Sequence, residues 1–133
     1  MQQQLQKNKY LETTVQTATP AQLLIMLHDG AIRFGRLAIE AIKSHDYQEA
    51  NTNLKKVQDI ISELIITLDR SVPLAESMDK LYEYFQYLLV QANIKKSEEP
   101  IHEVLGYIAE LKEVWIQASR TVMAAQSGAR THG

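Results

Sequence analysis

The sequence predicts an all-α protein, an antiparallel up-down four-helix bundle with a short N-terminal cap segment. Four apolar runs have helical spacing, and only short polar or proline-containing connections separate them. No long segment alternates apolar and polar residues as a half-buried strand does. Because short links make consecutive helices antiparallel neighbours, we predict a cap segment over 1–18, a bundle over 19–123 and a flexible tail over 124–133.

Composition and charge exclude several classes of protein. The chain has 133 residues, with 14 basic and 16 acidic side chains and no cysteine. This length buries a sizeable single core, but no basic excess is available to bind a nucleic acid backbone. No run reaches the roughly 18 apolar residues of a membrane span, and the polar start MQQQLQKNKY lacks the apolar core of a secretion signal. We therefore expect a cytoplasmic protein that does not insert into membranes.

The first two helices are predicted from their start signals. Thr19 before Pro20 combines an N-cap with a first-turn proline, so the first helix runs from there to about Ser44. Asp46 caps a second helix, which continues to about Arg70 because the proline of Ser-Val-Pro at 71–73 cannot continue it. The predicted core positions are Leu23, Leu24, Leu27, Ala31, Phe34, Ala38, Ala41, Ile42, Tyr47, Ala50, Leu54, Val57, Ile61, Leu64 and Leu68.

The last two helices follow in the same way. The third is predicted over about 74–95, and Ser97 followed by two glutamates and Pro100 is a start signal for the fourth. Acidic groups there also suit the positive end of the helix dipole. The predicted core positions are Leu74, Met78, Leu81, Tyr82, Phe85, Leu88, Leu89, Ala92, Ile101, Val104, Leu105, Ile108, Leu111, Trp115, Ser119 and Val122. We expect Leu111 and Trp115 to be core residues and not contact residues.

The helices carry more apolar residues than one core face requires. These surplus stripes have two interpretations: a wide core covered in part by the N-terminal segment, or grooves that receive an amphipathic partner helix. Because several stripes occur on one small bundle, we predict a partner-binding role for those on the first and third helices. The stripes are Ile25, Ile32 and Ile39 on the first helix, Tyr87, Val90 and Ile94 on the third, and Tyr107 and Val114 on the fourth.

Two glycines lie inside the predicted first helix. Gly30 and Gly35 each cost about 1 kcal/mol relative to alanine in a helix interior. A close approach by a neighbouring element would offset that cost, and a glycine that is merely tolerated in the helix–helix contact is the alternative.

The titratable residues do not form a catalytic constellation. Glu99 and His102 have the Glu-x-x-His spacing of di-iron bundles, but that chemistry requires two such motifs and further inward carboxylates. No glycine-rich phosphate loop and no nucleophile elbow occur in the sequence. We expect no enzymatic activity, no cofactor and no bound metal.

Several segments, taken in order, resemble the flagellin-specific export chaperones of the FliS family. They follow Tyr10 in the leader and extend the resemblance to Trp115. Each segment alone is only an amphipathic helix, whereas their order and spacing are specific. The segments are TATPAQLLIMLHDGAI at 17–32, NLKKVQDIISELIITLD at 53–69, LYEYFQYLLVQAN at 81–93 and IHEVLGYIAELKEVW at 101–115.

The resemblance implies a bundle that binds the disordered C-terminal region of unpolymerised flagellin in the cytoplasm. Such binding would block polymerisation and help to deliver subunits to export gate components and other assembly factors. In the family pattern a tyrosine of the N-terminal segment lies over a hydrophobic groove, and Tyr10 matches it. The chain departs from the pattern at His28, where relatives often have tyrosine, and in the connection LDRSVPLAES, which lacks the usual glycine.

Two other functions remain open at the level of sequence. A general helical adaptor would bind a client other than flagellin, and a metal-dependent bundle enzyme would hold iron or manganese. The sequence also leaves open whether the N-terminal segment competes with the client or supports its binding.

Overall fold

The structure, a computed structural model, describes residues 19–131 of the chain, with side-chain surroundings as far as residue 121. It contains four α-helices: α1 (Pro20–Lys43), α2 (Tyr47–Ile66), α3 (Leu74–Lys95) and α4 (Glu99–Thr131). Helix α1 packs against α2 and α4, and α3 packs against the same two helices. The helices therefore form a four-sided bundle in which α1 and α3 lie on a diagonal, which confirms the predicted all-α class.

The contacts between α2 and α3 show that these two helices are antiparallel. The Gln86 side chain donates a hydrogen bond to the Gln58 carbonyl oxygen at 2.9 Å. Two turns later on α3, Asn93 donates to the side-chain oxygen of Asn51 at 2.6 Å. The contact thus moves forward along one helix and backward along the other.

Helices α1 and α4 are antiparallel by the same criterion. Asp29 forms an ion pair with Lys112 at 2.6 Å. Further along α1, the Leu105 side chain packs directly on Gly35. Helix α4 therefore runs back along α1 in the opposite direction.

The predicted helix starts are confirmed in atomic detail. The Thr19 hydroxyl accepts a hydrogen bond from the Gln22 amide at 3.1 Å, and the Gln22 side chain accepts one from the Thr19 amide at 2.9 Å. This reciprocal pair is a capping box, which satisfies two amides that the helix itself leaves unpaired. At α2 the Asp46 carboxylate accepts from the Glu49 amide at 3.2 Å.

The α1–α2 connection turns sharply at His45. The Asp46 amide donates to the Ala41 carbonyl at 2.8 Å, and the His45 amide donates to the Ile42 carbonyl at 3.0 Å. This pair of bonds is a Schellman motif, whose C′ residue adopts the left-handed conformation. His45 takes that position with a φ of 58°, although glycine is the residue that adopts it without steric cost.

One predicted helix boundary is corrected by the structure. Helix α2 ends at Ile66 and not at Arg70. Thr67 follows as the C-cap, and its hydroxyl donates to the Leu64 carbonyl at 2.7 Å. Helix α4 continues to Thr131, and the flexible tail expected from residue 124 stays a prediction.

Two residues that were predicted for the core lie on the surface. Leu74 is 61% exposed and Tyr47 is 44% exposed. Each is the first residue of its helix, where the helix has only begun to enter the bundle. The residues that fill the centre of the bundle are Ala31, Ala38, Ile39, Leu54, Val57, Ile61, Leu64, Tyr82, Phe85, Leu89, Ala92, Ile101, Val104 and Ile108.

Replacing His45 with glycine is expected to stabilise the protein. A left-handed conformation costs an L-residue about 1–2 kcal/mol, and glycine avoids that cost but loses more entropy on folding. We therefore expect the free energy of unfolding of the His45→Gly variant to rise by about 0.5–1 kcal/mol in urea titrations. His45→Ala is the matched control, because it also removes the 2.8 Å contact with the Tyr47 hydroxyl while keeping the strained backbone. If the glycine variant were no more stable than the alanine variant, the left-handed backbone at His45 would not be a source of strain.

Candidate functional site

The outer face of α3 presents three of the predicted partner-binding residues to solvent. Tyr87 is 59% exposed, Val90 is 40% exposed and Ile94 is 71% exposed. Their spacing of three and four residues places them on one stripe, which we call the α3 outer stripe. The inward positions of the same helix are filled by Phe85 and Leu89, both fully buried. The prediction that the stripe lies outside the core is therefore confirmed.

Aromatic residues connect this surface to α4. The ring of Tyr107, which is 42% exposed, lies 5.7 Å from that of Phe85. The Tyr84 hydroxyl donates to the Glu103 carboxylate, and this hydrogen bond raises the pKa of the Tyr84 phenol above its usual value. Two exposed tyrosines, Tyr84 and Tyr107, therefore lie at the seam between α3 and α4.

The predicted stripe on α1 is only partly a surface. Ile25 and Ile32 are half-buried, but Ile39 is 5% exposed and belongs to the core. Residues spaced by seven drift about 20° around a straight helix at each repeat, so the three do not share one line. Helix α4 also approaches closely where Leu105 packs on Gly35. The inclusion of Ile39 in an exposed stripe is therefore wrong.

A groove lies between α1 and α4. Its volume is about 380 Å³. Two apolar side chains, Ile32 and Leu37, lie among charged ones, and Leu37 is 48% exposed. The groove is lined by Asp29, Ile32, Arg33, Arg36, Leu37, Glu40 and Lys112.

The rim of this α1–α4 groove carries both signs of charge. Asp29 and Lys112 pair across one end, and the Arg33 guanidinium lies 4.7 Å from the centroid of the Phe34 ring. An apolar strip within a charged rim suits an amphipathic helix, because the strip receives the apolar face and the rim receives polar groups.

Sequence reasoning missed Leu37, Arg33 and Arg36 as components of a site. The available signal was a single leucine on the charged face of the helix, one residue before the buried Ala38. A lone exposed leucine is common on protein surfaces, so that signal was weak without the structure.

Further exposed apolar residues lie around the α2–α3 connection, and the sequence did not indicate them. Ile66 is 73% exposed, Val72 is 45% exposed and Leu74 is 61% exposed. On α4, Val114 of the predicted surplus stripe is 60% exposed. The periodic pattern had assigned Leu74 to the core, since periodicity does not show where a helix leaves the bundle.

The predicted burial of Leu111 and Trp115 is corrected to half-burial. The fully buried residues of α4 are Ile101, Val104 and Ile108. The Trp115 indole nitrogen is nonetheless buried, and in residues 19–131 no acceptor lies within hydrogen-bonding distance of it. Trp115 therefore lies at the border between the core and the surface.

The remaining sequence predictions concern single residues or absent groups. Tyr10 lies outside the described residues, so its role stays a prediction. His102 contacts the Glu98 carboxylate at 3.2 Å on the surface.

Within 19–131, no three His, Asp or Glu side chains come together as ligands for a metal ion. None of the helices in that range combines the length and apolar character that crossing a membrane requires.

The bundle and its exposed apolar surfaces define a helical protein of the binding class. The sequence model of the family described as "Flagellar protein FliS" matches residues 1–122, so the chain belongs to the FliS family. This match confirms the resemblance recognised in the sequence.

Curated relatives agree with this assignment, and each is described as "Flagellar secretion chaperone FliS". The Bacillus subtilis (strain 168) protein is 44% identical over 109 residues, which cover 82% of this chain and 82% of the relative. The Campylobacter jejuni relative is 31% identical over 128 residues, or 95% of this chain and 100% of the relative. The Salmonella typhimurium relative is 30% identical over 112 residues, which cover 82% of this chain and 83% of the relative. The family is one of flagellar secretion chaperones and not of enzymes.

The exposure of the α3 outer stripe leads to a prediction about the stability of the protein. Replacing both Val90 and Ile94 with serine removes apolar groups that largely face water, and such surface changes usually alter stability by about 0.5 kcal/mol or less each. We expect unchanged helical content by circular dichroism and a free energy of unfolding within about 1 kcal/mol of the parent. Leu89→Ala, one residue away and fully buried, should cost about 2–5 kcal/mol. Equal losses in the two variants would show that the stripe belongs to the core.

Proposed function

We propose that the protein binds the C-terminal region of unpolymerised flagellin in the bacterial cytoplasm. By holding that region it prevents premature polymerisation, and it supports delivery of the subunit to export gate components and other assembly factors. The observation that carries the proposal is the α3 outer stripe, an exposed apolar surface on a member of a family of flagellar secretion chaperones.

Binding at the α3 outer stripe would derive its free energy from burial of apolar surface. Full burial of one large apolar side chain contributes about 1.5–3 kcal/mol relative to full exposure. Tyr87, Val90 and Ile94 are partly covered already, so a client helix gains only part of that from each. A disordered client must also become ordered on binding. This ordering costs about 2–5 kcal/mol or more, which offsets part of the free energy gained from burial. This balance favours a complex that can be dissociated at the point of export.

A second contact in the proposal is the α1–α4 groove. Ile32 and Leu37 provide the apolar strip, while Arg33 and Arg36 favour a client helix that carries carboxylates along one edge. Helices α1 and α3 lie on a diagonal of the bundle, so one straight helix does not reach both surfaces. A single client therefore requires two helical segments and an extended link around the bundle, as a long disordered region provides.

The N-terminal segment has a supporting role in this proposal. Residues 1–18 lead into Thr19, at the end of the bundle where α1 begins. We propose that Tyr10 docks on apolar surface and helps to hold the client, and that the segment covers that surface when no client is bound. Such cover would limit self-association through an open apolar patch.

The proposed function is tested with two forms of flagellin, one complete and one lacking the C-terminal region. The purified protein at a stoichiometric amount should slow filament growth from complete monomers, followed by light scattering. In calorimetric titrations it should bind complete flagellin and not the truncated form. Equal polymerisation rates with and without the protein would contradict the proposal, and binding of both forms would place the contact elsewhere on flagellin.

The same titration identifies the surface that takes the client. The Val90→Ser, Ile94→Ser double variant should bind flagellin about tenfold more weakly, which corresponds to about 1.4 kcal/mol. Ile66→Ser is the matched control, because Ile66 is 73% exposed and Ile94 is 71% exposed, but Ile66 ends α2 and lies off the stripe. If the Ile66 variant lost as much affinity as the double variant, the loss would not report on the stripe.

The role of Tyr10 has its own test. Tyr10→Ala should weaken flagellin binding while helical content and the free energy of unfolding stay near the parent values, because the proposed cap adds to the surface of the bundle and not to its core. The Tyr10→Phe variant keeps the ring and should bind nearly as well as the parent. A stronger interaction after Tyr10→Ala would mean that the segment competes with the client for the same surface.

A further inference from the structure

His28 is a titratable residue buried inside the bundle that the proposed client surfaces do not use. Its side chain is 0% exposed. The ring nitrogen Nδ1 lies 2.7 Å from the Leu24 carbonyl oxygen, so Nδ1 carries the proton and donates to that oxygen. The other ring nitrogen, Nε2, is buried and has no hydrogen-bond partner among residues 19–131. This arrangement fits a neutral imidazole, because a second proton would be placed on the buried Nε2.

The charged neighbours of His28 give an imidazolium little compensation. Asp29, adjacent on α1, is already paired with Lys112 of α4 at 2.6 Å. The Lys112 ammonium lowers the pKa of His28, while the Asp29 carboxylate and the Leu24 carbonyl raise it. Their opposing effects leave burial as the dominant influence on the ring.

The other two helices add no buried anion, because the buried polar or charged side chains among residues 19–121 are His28 and Asn53. Helix α2 packs its apolar Ile60 on Gly30, two residues from His28, and its carboxylates Asp59 and Glu63 are exposed. On α3 the buried titratable side chain is Tyr82. Burial raises the pKa of Tyr82 to about 12, so its phenol stays neutral.

We propose that His28 is an acid-sensitive latch between α1 and α4. The neutral ring lets the start of α1 pack on α4 beside the Asp29–Lys112 pair, and protonation of Nε2 loosens that end of the bundle. This inference stands apart from the identity of the client, because it concerns only how this half of the bundle closes.

The direction of the pH effect follows from the state of His28 in the folded and unfolded chain. Burial lowers the pKa of His28 in the folded protein below the ordinary value of 6.5. The unfolded chain therefore takes up a proton near pH 6.5, while the folded chain resists protonation until a lower pH. The stability that the neutral His28 ring provides is complete above pH 6.5. It is lost as the pH falls through the window between 6.5 and the lower pKa of His28 in the folded protein. Within the window the unfolding equilibrium constant rises by up to tenfold per pH unit.

The chain contains a native reporter for this region. Trp115 is the only tryptophan, and it lies about one turn beyond Lys112 on α4. Its half-buried ring should move into a more polar environment when the α1–α4 contact loosens. The expected signal is a red shift of tryptophan emission below pH 6.5, before helical content is lost.

The test compares urea unfolding of the full chain from pH 5 to pH 8 in three proteins. In the parent, the unfolding equilibrium constant should rise on acidification more steeply than in His28→Gln, which keeps an N–H donor but does not titrate. His102→Gln removes an exposed histidine and should follow the parent. The same acid slope in His28→Gln as in the parent would overturn the proposal.

Two further measurements on the parent keep the proposal testable if His28→Gln does not fold. The His28 ring resonances should titrate below pH 6.5, and titration at or above that value would overturn the proposal. Amide hydrogen exchange, corrected for the intrinsic pH dependence, should show lost protection on acidification first in residues 20–32 and 108–119. Equal loss in α2 and α3 would contradict a latch at the α1–α4 contact.

Discussion

The close contact between α1 and α4 is the constraint on which the rest of the bundle depends. Leu105 fills the space beside Gly35 so fully that an added Cβ would lie 2.6 Å from its side chain. Glycine costs about 1 kcal/mol in a helix interior relative to alanine, and the dense packing of Leu105 at this position offsets that cost. With α4 held this close, Lys112 lies within reach of Asp29, and Ile39, one turn after Gly35, is buried in the core.

The α1–α4 groove and α3 offer a partner different surfaces. In the groove the apolar residues of α1 are Ile32 and Leu37, among the charges of Arg33 and Arg36. On the opposite side of the bundle, α3 keeps its outer stripe exposed. The two candidate surfaces therefore differ in chemistry: one has two apolar side chains within a charged rim, and the other is a stripe of one aromatic and two branched side chains.

The sequence predicted those features that local signals encode. The N-caps Thr19 and Asp46 follow from short-range hydrogen bonding, and the α3 outer stripe follows from helical periodicity. The burial of Ile39 could not be predicted, because it depends on how closely a helix distant in sequence approaches. The exposure of Leu74 has a related cause, since the period of a helix does not reveal where its first turn lies relative to the bundle. Leu37 was missed because a single exposed leucine carries no pattern.

The exposed stripe raises a physical question, since a helix with two apolar faces could rotate and bury the other one. Directional hydrogen bonds from α3 to α2 oppose that rotation. Gln86 donates to the Gln58 carbonyl and lies 3.2 Å from the Ser62 hydroxyl, and Asn93 donates to Asn51. Each such bond contributes about 0.5–1.5 kcal/mol, and a buried amide that lost its partner would cost more. A rotated α3 would lose all of them at once, so these polar contacts, which flank the stripe on the side of α2, help to keep the stripe facing solvent.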